Sequence, residues 1–309
     1  MNTLIHKLNY TLNNNQFYIK RDDLIPQYYG GNKVRIAQEY YRDMVKKRSN
    51  CFVAYGSENS NMCRVIALMS AEKGYPCFIV YGCEKNEKKV LGINDILVKN
   101  SGADIIKVSK SNIKEAIEMS CRKAKQRGYK PYYIFGNSQG KGNEKTGVKG
   151  YISCYKEIKA YEEIEKIIFD YIFVTSGTGI TQAGLIAGSV LENGEEQIIG
   201  ISISREKKKQ EEYIRYYLNQ YFEKMIIWNE NIIQVYDKAL QGGYGYISER
   251  NKNFISNFCK KNSVPLDYTY IGKGIYGMMK YLEEKKILGK KILFIHTGAT
   301  PLFYEDILK

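Results

Sequence analysis

The segment Tyr171–Gly184, YIFVTSGTGITQAG, reads as a short buried strand that runs through a glycine-rich turn into a helix. Its first five residues are aromatic, aliphatic or β-branched, the types that suit a pleated and covered backbone. Ser176–Gly184 then supplies small and hydroxyl residues at a helix start. Backbone N–H groups are exposed there and the helix dipole favours negative charge, so phosphate is the natural ligand. The turn is not a Walker loop, because Leu185 rather than lysine follows Gly184. It is a poor dinucleotide fingerprint too, since Gln182 stands where a third glycine is needed. A plain strand-to-helix turn with an ordinary cap fits the same residues.

Outward from this segment, short apolar runs alternate with stretches of helical spacing. Strands are expected at Cys51–Tyr55, Cys77–Tyr81, Asp104–Val108, Tyr132–Phe135, Tyr171–Thr175, Ile198–Ser204 and Lys291–Thr297. Helices are expected at Lys33–Lys47, Asn61–Lys73, Asn112–Gln126, Glu144–Glu163, Gln182–Glu192 and Tyr276–Glu284. Such alternation predicts an α/β protein with parallel sheets covered by helices. The acidic run Glu162–Glu165 suggests a change of unit near residue 160. In open α/β sheets ligands bind beyond the carboxyl ends of the strands, so the loops there carry the function.

Composition narrows the classes. Apolar residues make up 44% and charged residues 26% of 309, ordinary for a soluble globular protein. No apolar run approaches bilayer length, and the start MNTLIHKLNYTLNNN lacks the pattern of a secretory signal. Seven cysteines with no C-x-x-C pair read as reduced thiols in a cytoplasmic protein, not as a disulfide framework or zinc site. With only His6 and His296, histidine-based metal catalysis is not expected. The net charge of +14 comes in short clusters such as Lys46-Lys47-Arg48 and Lys207-Lys208-Lys209, which read as solvated surface rather than a nucleic-acid face.

Two more loops stand out. Gly30-Gly31-Asn32-Lys33 places a lysine at a helix start, where the positive dipole end disfavours the ammonium and would help it act as an amine nucleophile, although taken alone the motif reads better as a solvent-exposed lysine in a turn. Ser57-Glu58-Asn59-Ser60-Asn61 sets short hydroxyl and amide side chains at another helix start, a good carboxylate cradle or an ordinary cap.

Taken in order, KRDDL (20–24), GGNKVR (30–35), NSNMCR (59–64), SGTGITQAGL (176–185), GGYGY (242–246), LDYTYIGKGIYGM (266–278) and IHTGATPLF (295–303) resemble the D-cysteine desulfhydrase and 1-aminocyclopropane-1-carboxylate deaminase family. The resemblance spans nearly the whole chain. It implies a fold-type-II, tryptophan synthase β-like enzyme with two parallel-sheet α/β domains and pyridoxal 5′-phosphate in the cleft. Residues 1–47 plus 164–309 would form the large cofactor-binding domain, and 48–163 the small one. Lys33 matches the lysine that carries the cofactor as a Schiff base, and Asn61 the asparagine facing its 3-oxygen. Ser60 matches a substrate-carboxylate and catalytic serine, with Asn59 and Asn61 beside it. Thr178, Gly179, Ile180 and Thr181 match the phosphate cup. Tyr244 and Tyr270 match active-site tyrosines, and Thr297 the threonine that bonds the pyridine nitrogen in the desulfhydrase branch.

The departures also carry information. Ile180 replaces a usual glycine of the cup, while Asn59 and Met62 replace the common glutamine and histidine around the serine–asparagine pair. Ile271 stands where the deaminase branch has a glutamate that pairs with the ring nitrogen. A hydroxyl partner leaves that nitrogen neutral, which favours prompt expulsion of a β-substituent over long-lived carbanions. The resemblance therefore implies a lyase that eliminates a β-substituent from a small amino acid, D-cysteine giving pyruvate, ammonia and sulfide. β-Replacement in a biosynthetic pathway, cyclopropane ring opening and non-catalytic cofactor binding are the other readings. A homodimer with neither nucleic-acid nor membrane partner is expected.

Overall fold

The N-terminal residues form a strand pair that the sequence reading passed over, the first strand half-exposed and the second buried at all but one position. In a computed structural model that describes residues 2–83, 92–223, 226–240 and 247–308, β1 (Ile5–Leu12) and β2 (Asn15–Arg21) make a hairpin. Its two loop residues, Asn13 and Asn14, both have positive φ (52° and 57°), the requirement of a tight hairpin turn. Asn-Asn ahead of the apolar run Phe17–Ile19 was the available signal.

The chain next builds α1 (Asn32–Lys46), β3 (Cys51–Gly56), α2 (Asn61–Glu72), β4 (Cys77–Cys83), α3 (Ile93–Asn100), β5 (Asp104–Ser109), α4 (Ile113–Gln126) and β6 (Pro131–Tyr133). The remainder forms α5 (Glu144–Glu165), β7 (Tyr171–Ser176), α6 (Ile180–Leu191), β8 (Gln197–Ser202), α7 (Lys207–Phe222), β9 (Gln234–Tyr236), α8 (Glu249–Asn262), α9 (Ile271–Glu284), β10 (Lys291–His296) and α10 (Thr300–Ile307). Contacts divide the chain into two units: residues 1–32 with 148–309, and residues 33–147.

In the first unit the strand order is β1-β2-β10-β7-β8-β9, parallel throughout except for the antiparallel edge strand β1. The expected α/β class with parallel sheets holds, with that one correction. One face buries Phe17, Ile19, Phe173, Ile201 and Phe294 against Ile255 and Phe258 of α8 and Ile275 and Met278 of α9. Each such side chain contributes about 1.5–3 kcal/mol on burial. Lys20 and Asp22 tie β2 and its following turn to α5: Lys20 Nζ lies 2.7 Å from Glu157, and Tyr151 donates to Asp22 at 2.6 Å. Gly184 and Gly188 of α6 let α5 come close, because a Cβ on either would sit 2.5 Å from the Cβ of Tyr151 or Tyr155.

Helix α9 begins at Ile271, five residues before the expected Tyr276. Its glycines are there for packing. A methyl on Gly272 would come within 2.5 Å of Ile255, and methyls on Gly274 and Gly277 would collide with Thr175 and Ile201.

The second unit orders its strands β5-β4-β3-β6, all parallel. Alternate residues Cys51 and Val53 of β3, and Phe78 and Val80 of β4, face Ala116 and Ile117 of α4. Helix α1 joins this unit through its own side chains: Tyr40 packs near Tyr132, and Tyr132 donates to Asp43 at 2.7 Å.

Candidate active site

Four consecutive residues before α1 have positive φ: Tyr28 (52°), Tyr29 (61°), Gly30 (70°) and Gly31 (99°). Only glycine fits at Gly31, because a Cβ would lie 2.8 Å from Thr297 O, and one on Gly298 would strike Gly31 itself. The two glycines let the GGNK and HTG loops cross in contact. Asn32 then joins three of the sequence motifs. Its N–H donates to Thr297 O at 2.9 Å, and its Nδ2 donates to Thr181 Oγ1 at 2.9 Å.

KRDDL acts as the frame for this crossing. The Gly31 N–H donates to Asp22 O at 2.8 Å, while the Arg21 guanidinium holds the Asp23 carboxylate at 2.7–3.2 Å. Asp23 stands 3.4 Å from Nδ1 of buried His296. His296 Nε2 is 2.6 Å from Pro265 O, which can only accept, so Nε2 carries the proton and Nδ1 accepts from the Gly298 N–H at 3.2 Å. Burial lowers the His296 imidazolium below its usual range, which fits that neutral tautomer. His296 thus serves as a rigid acceptor for the HTG turn, a role the sequence reading did not assign.

The phosphate-type turn lies at the carboxyl end of β7. Gly179 is the N-cap of α6 in the left-handed region (φ 93°), and no side chain caps the helix. Its first-turn N–H groups therefore have no intrahelical acceptor, and no acidic residue occupies that turn. Thr178 is exposed, while Ile180 and Thr181 are buried. Because Thr181 Oγ1 accepts from Asn32, its own proton remains for another acceptor. Helix α7 and the loop before it brace the turn: Gln210 donates to Ser176 Oγ at 2.9 Å, and Arg205, ahead of the helix, donates to Gly177 O. Gln182 faces the sheet, its Nε2 donating to Gln234 O at 2.8 Å over Gly200. A cluster of donors without a carboxylate suits a phosphate dianion, so these residues fit the phosphate end of a pyridoxal cofactor.

Thr297 is buried directly after β10. Tyr270 is the N-cap residue of α9, where its carbonyl accepts from Thr175 Oγ1 at 3.3 Å. Ile271 packs into the hydrophobic cluster and its N–H donates to Asp267 at 2.9 Å. Asp267 also accepts from the N–H groups of Thr269 and Tyr270, and burial pushes its carboxyl up to about 7. Tyr244 lies outside the described residues.

In the second unit, Lys33 follows Asn32 at the start of α1. Burial lowers its ammonium to about 8, where the sequence reading had looked to the helix dipole. Ser60 caps α2, its Oγ accepting from the Cys63 N–H at 3.2 Å. Asn59 is exposed, Ser60 and Asn61 are partly covered, and Met62 is buried. Asn94, unnoticed in the sequence, donates through Nδ2 to Asn59 O at 2.9 Å and to Asn61 Oδ1 at 3.1 Å.

Comparison with known proteins identifies the family. Residues 2–298 match the family described as pyridoxal-phosphate dependent enzyme. A Pyrococcus abyssi protein provisionally named 1-aminocyclopropane-1-carboxylate deaminase is 30% identical over 291 residues, covering 92% of this chain and 84% of its own. The D-cysteine desulfhydrase of Yersinia pestis is 27% identical over 299 residues, covering 94% and 88%. A crystal structure of an ACC deaminase homologue superposes with a TM-score of 0.84 at 27% identity, over 100% of this chain and 93% of that one. The chain belongs to the pyridoxal-phosphate dependent enzymes, within the group that holds the D-cysteine desulfhydrases and 1-aminocyclopropane-1-carboxylate deaminases.

Proposed function

We propose that this enzyme removes a β-substituent from a small amino acid, releasing a 2-oxo acid and ammonia, with D-cysteine and its sulfide the first pair to test. The observation that carries this reading is the pair Thr297 and Ile271. One is a buried hydroxyl residue in the HTG turn, and the other is an aliphatic side chain packed in the core where the deaminase branch has a glutamate. When bound, pyridoxal phosphate supplies an aldehyde that condenses with amines and a ring that draws electrons from the substrate Cα.

The chain's own residues divide the remaining work. Lys33, with its amine brought toward neutrality by burial, holds the cofactor and, once displaced, takes the Cα proton. Thr178, Thr181 and the N–H groups at the start of α6 hold the phosphate. Ser60 and Asn61, with Asn59 beside them, hold the substrate carboxylate, and that orientation selects the bond that breaks. Tyr270 and Tyr244 serve as further catalytic groups. Thr297 offers the ring nitrogen a hydroxyl, which leaves it neutral, so charge formed at Cα is discharged by loss of the β-substituent. We read the protein as a cytoplasmic homodimer; seven cysteines without a disulfide support the reducing compartment, and sedimentation of the holoenzyme tests the oligomeric state.

Incubation with a panel of D- and L-amino acids, followed by 2-oxo acid and sulfide assays, tests the reaction. D-Cysteine or another β-substituted amino acid should release its 2-oxo acid, and Thr297→Val should slow this release while retaining bound cofactor. Efficient conversion of 1-aminocyclopropane-1-carboxylate to 2-oxobutyrate would overturn the assignment. Borohydride reduction followed by peptide mapping should place the pyridoxyl mass on Lys33. Finding it on Lys273, a buried lysine of α9 whose ammonium is also lowered by burial, would overturn the role of Lys33.

A further inference from the structure

Asn94 is fully buried as the second residue of α3. One hydrogen of its Nδ2 goes to the main-chain carbonyl of Asn59, which can only accept, so the orientation of the Asn94 amide is determined. The other hydrogen goes to Asn61 Oδ1. That contact in turn orients Asn61: its oxygen is occupied, and its Nδ2 meets no acceptor among the described residues. Asn94 Oδ1 has no donor there either, a condition that destabilises a buried acceptor. A leucine would fill similar space without that cost. What the amide adds is the pair of N–H donors, and both act on the Asn59–Asn61 turn.

We propose that Asn94 is a positioning residue that turns the Asn61 amide so that Asn61 presents N–H donors, rather than its carbonyl oxygen, to the 3-oxygen of the cofactor. The inference rests on the reading that Asn61 faces that oxygen. An amide free to flip would present its carbonyl half of the time, and an oxygen facing an anionic oxygen repels it. Asn94 removes that alternative through two hydrogen bonds made 33 and 35 residues away in sequence.

The test is a double-mutant cycle on the apo-protein, titrated with pyridoxal phosphate and followed by the visible band of the bound cofactor. Asn61→Ala should weaken binding about tenfold, the loss expected for one charge-assisted hydrogen bond. Asn94→Ala should weaken it about twofold, because a freely flipping Asn61 amide is competent half of the time, and should move the band in the same direction. The double variant should be no worse than Asn61→Ala alone, because Asn94 acts only through Asn61. Asn94→Asp is nearly isosteric and keeps the experiment decisive where the alanine variant folds poorly. Its carboxylate accepts from Asn61 Nδ2, reverses that amide, and should weaken binding at least as much as Asn94→Ala. Independent, multiplying losses, or Asn94 variants that bind as the wild type does while Asn61→Ala is impaired, would overturn the proposal alone. Wild-type binding by Asn61→Ala would overturn the reading of Asn61 and the proposal with it.

Discussion

Two strand-to-helix turns carry most of the candidate site residues, and they are finished in opposite ways. After β7 the chain enters α6 through Gly179, and no side chain satisfies the helix end. After β3 it enters α2 through Ser60, whose hydroxyl accepts from Cys63 in the usual manner of a cap. The first end is left open to an external anion and is braced from behind by Gln210 and Arg205. The second is closed on itself, so its turn presents side chains, Asn59, Ser60 and Asn61, instead of bare backbone. An open end suits a phosphate that needs many N–H donors at once. A capped end suits recognition of a smaller group by individual hydroxyl and amide contacts.

Closing the open end is the strongest way to break this contrast. Gly179→Asp would force a non-glycine into φ 93°, bring a Cβ to 3.2 Å from Ile214, and place a carboxylate where the phosphate binds. The left-handed backbone alone costs about 1–2 kcal/mol, and charge repulsion adds to it. Cofactor affinity should fall by more than about tenfold by titration of the apo-protein; affinity within twofold of wild type would erase the distinction between the turns.

A third helix start, that of α1, is tested by pH. With Lys33 at about 8, about a tenth of its amine is neutral at pH 7 and half at pH 8. The initial rate at which apo-protein captures cofactor should therefore rise several-fold across this interval, once corrected for free cofactor ionisation. A folded value below the unfolded one also means that the penalty for the buried ammonium is full below pH 8. It is relieved as pH climbs from about 8 toward 10.5, so the Lys33 contribution to apo-protein stability should increase over that range. A capture rate still climbing steeply above pH 9 would show that the lysine keeps an ordinary value.

Smaller effects sharpen the comparison. Thr181→Ala removes one hydroxyl donor from the open end, about 0.5–1.5 kcal/mol. It should lower cofactor affinity by about three- to tenfold with little change in melting temperature. Ser60→Ala should do the reverse: about 1 kcal/mol of stability lost with the cap, visible in a melting curve, with cofactor affinity changed by less than twofold. If both variants lost stability and affinity in the same proportion, the two ends would not differ in kind.

Much of this was legible in the sequence because it depends on neighbouring residues. Alternating apolar runs and helical spacing announced the parallel α/β class, and glycines at 30, 31, 179 and 298 marked places where the backbone needs positive φ or close approach. The N-terminal hairpin and the early start of α9 were missed for a related reason. Asn13-Asn14 carries the hairpin without glycine, and the glycines of α9 serve packing against Ile255, Thr175 and Ile201 rather than a turn. The hydrogen bonds that orient the site are of another kind. Asn32 reaches Thr181 across 149 residues, and Asn94 reaches Asn61 across 33. The sequence by itself determined the elements and the positions of the loop motifs, since dihedral preference and hydrophobic period act over a few residues. Only the tertiary structure decided which amide holds which, because a hydrogen bond between distant side chains leaves no local pattern and exists only once the sheets have set their loops side by side.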